Sequence, residues 1–200
     1  MANADRKMGL SPIEYLDGSP YNGKARMYYI PSSDGNAYAI GDPVALGGSA
    51  DAAGVASVVL ATAGAGNPVL GAIVGFGTTY GASLIDPTTL GTSTVIPATK
   101  TKGYYVLVSD DPDIVYEVQE GGVGAALAAT NVSLNCDLVA ASNSGYLSQW
   151  ALDNATTGTG ATKQVQLLGL VQRPGNAFGA YAKWKVRINN HPYKAGVAGV

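Results

Sequence analysis

The chain has 200 residues, of which 46% are apolar and only 13% charged, with a formal net charge of −2, one histidine and one cysteine. It is long enough to bury a core without disulfides or metal, lacks the basic footprint of a nucleic-acid binder, and has too little cysteine for an internal disulfide or a Cys-based metal site. Charge at about half the roughly 25% usual for soluble domains leaves a surface of Ala, Gly, Ser, Thr and Tyr, which is tolerated most easily when other protein covers it.

Residues 1–23 show neither helical nor strand periodicity, and carry Pro12 and Pro20 among isolated Met8, Leu10, Ile13, Tyr15, Leu16 and Tyr21. Scattered apolar anchors on an extended backbone suit an arm that lies across a partner. With Arg6 and Lys7, these residues are the expected contacts with a partner, and the basic arm is expected to dock on an acidic patch of a neighbouring subunit. Removing 1–23 should then leave a folded domain over 24–193, followed by a fraying tail at 194–200. The start, MANADRKMGLSP, has no apolar leader run, and Val55–Ala63 and Val69–Phe76 are too short and too Gly-interrupted to span a bilayer, so no membrane partner is expected.

Strands are expected at Lys24–Ile30, Ala37–Ile40, Val44–Leu46, Val55–Thr62 and Val69–Phe76, with a loop at Gly47–Gly54. A Gly/Thr/Ser/Pro-rich excursion at 77–101 holds one short strand near Thr94–Ile96. Gly103–Glu120 reads as the clearest element: β-branched and aromatic arms at Tyr104–Val108 and Ile114–Val118 joined by the turn Asp110-Asp111-Pro112-Asp113, hence a hairpin with one face reaching water at its lower end. Ala125–Ala129 is a short helical turn. Asn135–Ala141, Tyr146–Leu152 and Gln164–Gln172 read as strands, with a turn at Asn143-Ser144-Gly145 and a loop at Asn154–Thr162. The last strand, within Tyr181–Asn189, alternates Trp184, Val186 and Ile188 with Lys183, Lys185 and Arg187, so a basic face should be wet. Short strands at this spacing predict an all-β fold, a sandwich or barrel-like domain of jelly-roll type with an extended N-terminal arm and long Gly/Thr-rich loops. No repeat period of the solenoid or propeller kind is visible.

Reaction chemistry is hard to place. His191 sits beside Pro192 at a strand end, and Cys136 lies in an apolar strand without an activating neighbour. Asp110, Asp111 and Asp113 lack the spacing of a calcium loop, and Gly158-Thr159-Gly160-Ala161-Thr162-Lys163 lacks the Gly-Lys-Ser/Thr order of a phosphate loop. No catalytic residue, metal or cofactor is expected.

The phrases MANADRKMGLSP, GSPYNGKARMYYIPSSDGNAYAIGDPV, DDPDIVYEVQE and RINNHPY resemble capsid decoration, or cement, proteins of tailed bacteriophages. That resemblance implies a non-enzymatic β-rich virion protein on the capsid exterior, commonly a homotrimer, that clamps neighbouring subunits of the major capsid protein. A tail- or fibre-associated protein, or a receptor- or glycan-binding β module, would share this composition.

Overall fold

The computed structural model describes residues 3–76, 95–142, 146–194, 196 and 198–199. Most of the excursion expected at 77–101, and the turn expected at 143–145, lie outside the described residues. The chain is all-β. Its strands are β1 (Ser11–Tyr15), β2 (Arg26–Ile30), β3 (Tyr38–Ala39), β4 (Pro43–Ala50), β5 (Ala56–Leu60), β6 (Gly71–Phe76), β7 (Val95–Ile96), β8 (Tyr104–Ser109), β9 (Ile114–Gln119), β10 (Asn135–Val139), β11 (Ala151–Gly158), β12 (Val165–Leu170) and β13 (Lys183–Ile188). Strands β2-β5-β4-β6-β8 close into a barrel around Tyr28, Ile30, Val44, Val58, Leu70, Ile73, Val106 and Val108. A six-stranded sheet, β1-β9-β13-β12-β10-β11, curls round a second core that holds Tyr116, Leu138, Trp150, Leu152, Leu167 and Trp184.

The predicted hairpin does not exist, although both of its arms do. β8 pairs with β2 and β6 in the barrel, whereas β9 pairs with β1 and β13 in the sheet. The Asp/Pro turn is real, with Ile114 N–H donating to the Asp111 carbonyl at 3.1 Å, but it carries the chain from one core to the other. All six residues of β9 are buried, Glu117 and Gln119 included. A strand covered on both faces and both edges belongs in the middle of a sheet, and a two-stranded hairpin offers it only one neighbour.

The N-terminal segment is extended, but it lies on its own chain. β1 runs antiparallel to β9, with Ser11 opposite Glu117 and Tyr15 opposite Ile114. Leu10 is fully buried in the second core. It is seated by a crossing of two glycine backbones: the Leu10 N–H donates to the Gly41 carbonyl at 2.9 Å. Gly9 and Gly41 have φ of +65° and +90°, and a Cβ on either would stand 2.1 Å from a carbonyl oxygen, so only glycine fits there. The chain turns back after β1, with Tyr21 N–H donating to Ile13 and Tyr15 N–H to Ser19, which covers the outer edge of the strand.

Other boundaries also shift. β4 runs through Gly47 to Ala50, and β11 occupies the stretch expected as a Gly/Thr loop from Asn154. The expected helical turn is a short 3₁₀ turn at Ala129–Asn131 instead. The basic face of β13 is not wet. Lys183 lies 3.5 Å from Glu117, Lys185 2.8 Å from Glu14, and Arg187 Nε donates to Gln166 Oε1 at 2.8 Å.

The two halves of the chain are one barrel built twice. In the first, β4 pairs with β6 through Pro43 opposite Ala72 and Val44 opposite Gly71; in the second, β10 pairs with β12 through Asn135 opposite Gln166 and Cys136 opposite Val165. Leu46 opposite Val58 corresponds to Leu138 opposite Leu152. Ile73 opposite Val108, then a bulge, then Gly75 opposite Leu107, corresponds to Leu167 opposite Val186, a bulge, and Gly169 opposite Lys185. Met27 opposite Leu107 and Tyr29 opposite Tyr105 correspond to Glu117 opposite Lys185 and Gln119 opposite Lys183. The seam is parallel in both halves: Tyr29 with Ser57 in the first, and Glu120 with Leu152, one step along both strands, in the second. All five interfaces therefore keep one register. The sequence trace is Ala61-Thr62-Ala63-Gly64-Ala65-Gly66 against Ala155-Thr156-Thr157-Gly158-Thr159-Gly160, at corresponding positions.

The halves are joined by a buried side chain. Gln164, with no exposed surface, donates from Nε2 to the carbonyls of Thr62 (2.8 Å) and Asn67 (3.2 Å), while Oε1 accepts from the N–H groups of Gly64 (3.0 Å) and Leu138 (3.1 Å).

Candidate interaction surface

The N-terminal segment crosses the outer face of β9 and β13 from end to end. At its start, Asn3 holds the loop before β13, donating to the carbonyls of Ala177 and Ala180 and accepting from the Ala177 N–H. Arg6 is exposed, and its backbone N–H donates to Gln119 Oε1 at 2.8 Å. Lys7 lies 3.7 Å from Asp5, and Met8 is exposed beside them. Leu10 leaves the surface for the core, so of the expected contacts it is the one withdrawn from any partner. Ile13, Tyr15 and Tyr21 are half-buried and Leu16 is exposed. The Tyr15 and Tyr21 rings stand 6.0 Å apart, and their hydroxyls donate to Asn22 Oδ1 and the Lys24 carbonyl.

Those last residues rim an open groove of about 620 Å³ at the junction of the two barrels, lined by Tyr15, Leu16, Asp17, Ser19, Asn22, Lys24, Asp111 and Asp113. Its carboxylates are held by the chain itself. Lys24 lies 3.1 Å from Asp111, and Lys194 meets Asp113. The Asp113 backbone N–H, with Lys24 behind it, holds the Asp111 carboxyl below its ordinary range against the opposing push of burial. Arg26 pairs with Asp110, which also accepts from the Tyr28 hydroxyl at 2.6 Å. The basic ends of the chain and its acidic middle thus meet within one molecule.

Comparison with known protein families, characterised proteins and solved structures found no match to this chain.

The two side chains with the readiest chemistry point inward. His191 is buried, its Nδ1 accepts from the Tyr193 N–H at 3.1 Å, and burial lowers its pKa from 6.5. Cys136 has no exposed surface, and burial pushes its thiol up to about 11, away from thiolate reactivity. Glu120 is buried too and raised by that burial, while accepting from the N–H groups of Leu127 and Ala182. Among the described residues, no group of three or more His, Cys, Asp or Glu side chains is placed to hold a metal ion.

What surfaces instead is apolar and aromatic: Leu16, Leu46, Val123, Tyr146, Phe178 and Tyr193 are exposed. Tyr181, exposed on the loop before β13, has φ of +63°, a strained state for a bulky residue. Val123, Tyr146, Phe178, Tyr181 and Tyr193 lie on loops, where strand alternation says nothing about which residues meet water.

Proposed function

We propose that this protein is a structural virion component that binds the outside of an assembled phage capsid and bridges neighbouring subunits of the major capsid protein, acting as a homotrimer. The observation that carries the reading is the duplication. A shell of repeating subunits offers like surfaces at fixed spacings, and a chain with two like barrels stitched together is suited to hold two of them at once. The sparse charge, the intramolecular ion pairs and the exposed aromatic side chains add support, because contact surfaces are rich in aromatic residues and poor in unpaired charge. Such a protein would stabilise the shell by mass action, binding the assembled state and not the free subunits. Trimeric presentation would add avidity.

The test mixes purified protein with undecorated phage heads. Co-sedimentation, and heads that survive higher temperature or chelator once decorated, are expected. Heads that neither bind the protein nor gain resistance would overturn the reading, and binding to tails or glycans instead would favour a different virion role.

A further inference from the structure

Because the two barrels share one register, each surface of one has a counterpart on the other, and one pair of counterparts differs sharply. On the second barrel, Glu117, Gln119, Lys183 and Lys185 are bonded or ion-paired, and the N-terminal segment lies over them through Arg6 and Glu14. Their counterparts on the first barrel are Met27, Tyr29, Tyr105 and Leu107. These four are half-buried, while the alternate residues Tyr28, Ile30, Val106 and Val108 fill the core. The Tyr29 and Tyr105 rings pack at 5.4 Å, tilted by 54°. Where one barrel has charge covered by its own chain, the other has a largely apolar, aromatic strip, its one polar tie among the described residues being the Tyr105 hydroxyl that donates to Asp51.

The edges differ in the same way. β9 has β1 beside it from Ile114 to Glu117, and all four residues there are buried. Among the described residues, β2 meets β5 only at Tyr29 and Ser57. The counterpart edge, Lys24 to Met27, has no strand on that side among the described residues; Lys24 is bonded locally, its N–H donating to Asn22 Oδ1 and its carbonyl accepting from the Tyr21 hydroxyl, and Ala25 to Met27 are exposed or half-buried. An open edge beside an apolar strip is a template for strand addition, in which main-chain bonds supply affinity and alternate side chains supply specificity.

We propose that the β2 edge and the Met27/Tyr29/Tyr105/Leu107 strip receive an extended segment of a partner protein, antiparallel to β2 as β1 is antiparallel to β9. The required chemistry of that segment follows from the counterpart. Glu14 of β1 meets Lys185; the residue in its place on the first barrel faces Leu107 and is apolar. The segment carries little charge, because Lys24 and Arg26 are already paired with Asp111 and Asp110. This inference does not rest on the capsid reading, and its test needs no phage heads.

The full-length protein is mixed with two synthetic peptides: GLSPIEYL, the sequence of residues 9–16, and GLSPILYL, with leucine at the glutamate position. Hydrogen exchange is followed at residues 24–27. The leucine peptide is expected to slow exchange there and to bind about tenfold more tightly than the glutamate peptide, the scale of one apolar or ionic contact. Leu107→Lys, an outward-facing change whose fold is checked by its thermal midpoint, should reverse that order by recreating the Lys185 environment. The proposal is overturned if neither peptide protects residues 24–27, if protection appears only at 114–117, or if Leu107→Lys leaves the order of the two peptides unchanged.

Discussion

Gln164→Leu is the sharpest probe of how the two barrels hold together. Leucine is what the first barrel itself has at the corresponding position, Leu70, which is fully buried in an apolar core. At position 164 it would fill similar space and lose four hydrogen bonds. The Leu138 N–H would be left without its partner in the core, at roughly 1–3 kcal/mol. The Gly64 N–H and the Thr62 and Asn67 carbonyls lie closer to solvent and can recruit water, so together they add about 1–2 kcal/mol. The gain from burying an apolar side chain in place of a polar one offsets about 1 kcal/mol. A net loss of about 1–4 kcal/mol is expected, set against the 5–15 kcal/mol of a typical domain. Urea unfolding followed by the fluorescence of the buried Trp150 and Trp184 measures it, with exposed Gln172→Leu as the control expected within about 0.5 kcal/mol. A Gln164→Leu protein as stable as the control would refute the claim that this side chain stitches the halves.

Leu10→Ala should cost about 2–5 kcal/mol, as for other fully buried leucines, and removal of residues 1–15 should cost more, because β9 would lose its edge partner as well. Chemical denaturation checks both, and a truncated chain of unchanged stability would favour an arm that lies across a partner over one packed on its own chain. Tyr116→Phe removes a hydroxyl that donates to the Ser109 carbonyl at 2.6 Å in the core and should destabilise by about 1–2 kcal/mol in the same assay. His191 sets a pH dependence. Its folded pKa lies below 6.5, so the unfolded chain takes up its proton first as pH falls, and stability present above that value is lost on the acid side. Between pH 6.5 and 5.5 the loss is at most about 1 kcal/mol. His191→Asn, which keeps an acceptor for the Tyr193 N–H, should flatten the slope in that window; an unchanged slope in thermal melts would show that another group sets it.

Sequence alternation and tertiary packing differ most at β9 and β13. Lys183, Lys185 and Arg187 look like a solvated face in sequence because alternation reports only that they oppose Trp184, Val186 and Ile188. Their partners Glu117, Glu14 and Gln166 come from three other strands, and no local pattern announces them. The same holds for Leu10, which resembles an isolated anchor until Gly9 and Gly41 allow two backbones to cross. The exposed aromatic residues on loops carried no periodic signal at all.

Local composition determined that this chain makes strands and where most of them lie: β-branched and aromatic runs prefer a pleat, and Pro, Gly and Asp end it, through interactions that span only a few residues. Pairing was decided by the folded molecule alone. Strand edges are chemically alike, since every backbone offers the same donors and acceptors, so whether β8 joins β9 or β2 depends on which side chains can share a core across long stretches of chain. For the same reason the duplicated barrel, written in the sequence by little more than two short Ala-Thr-Gly phrases, is plain only in the register of its strands.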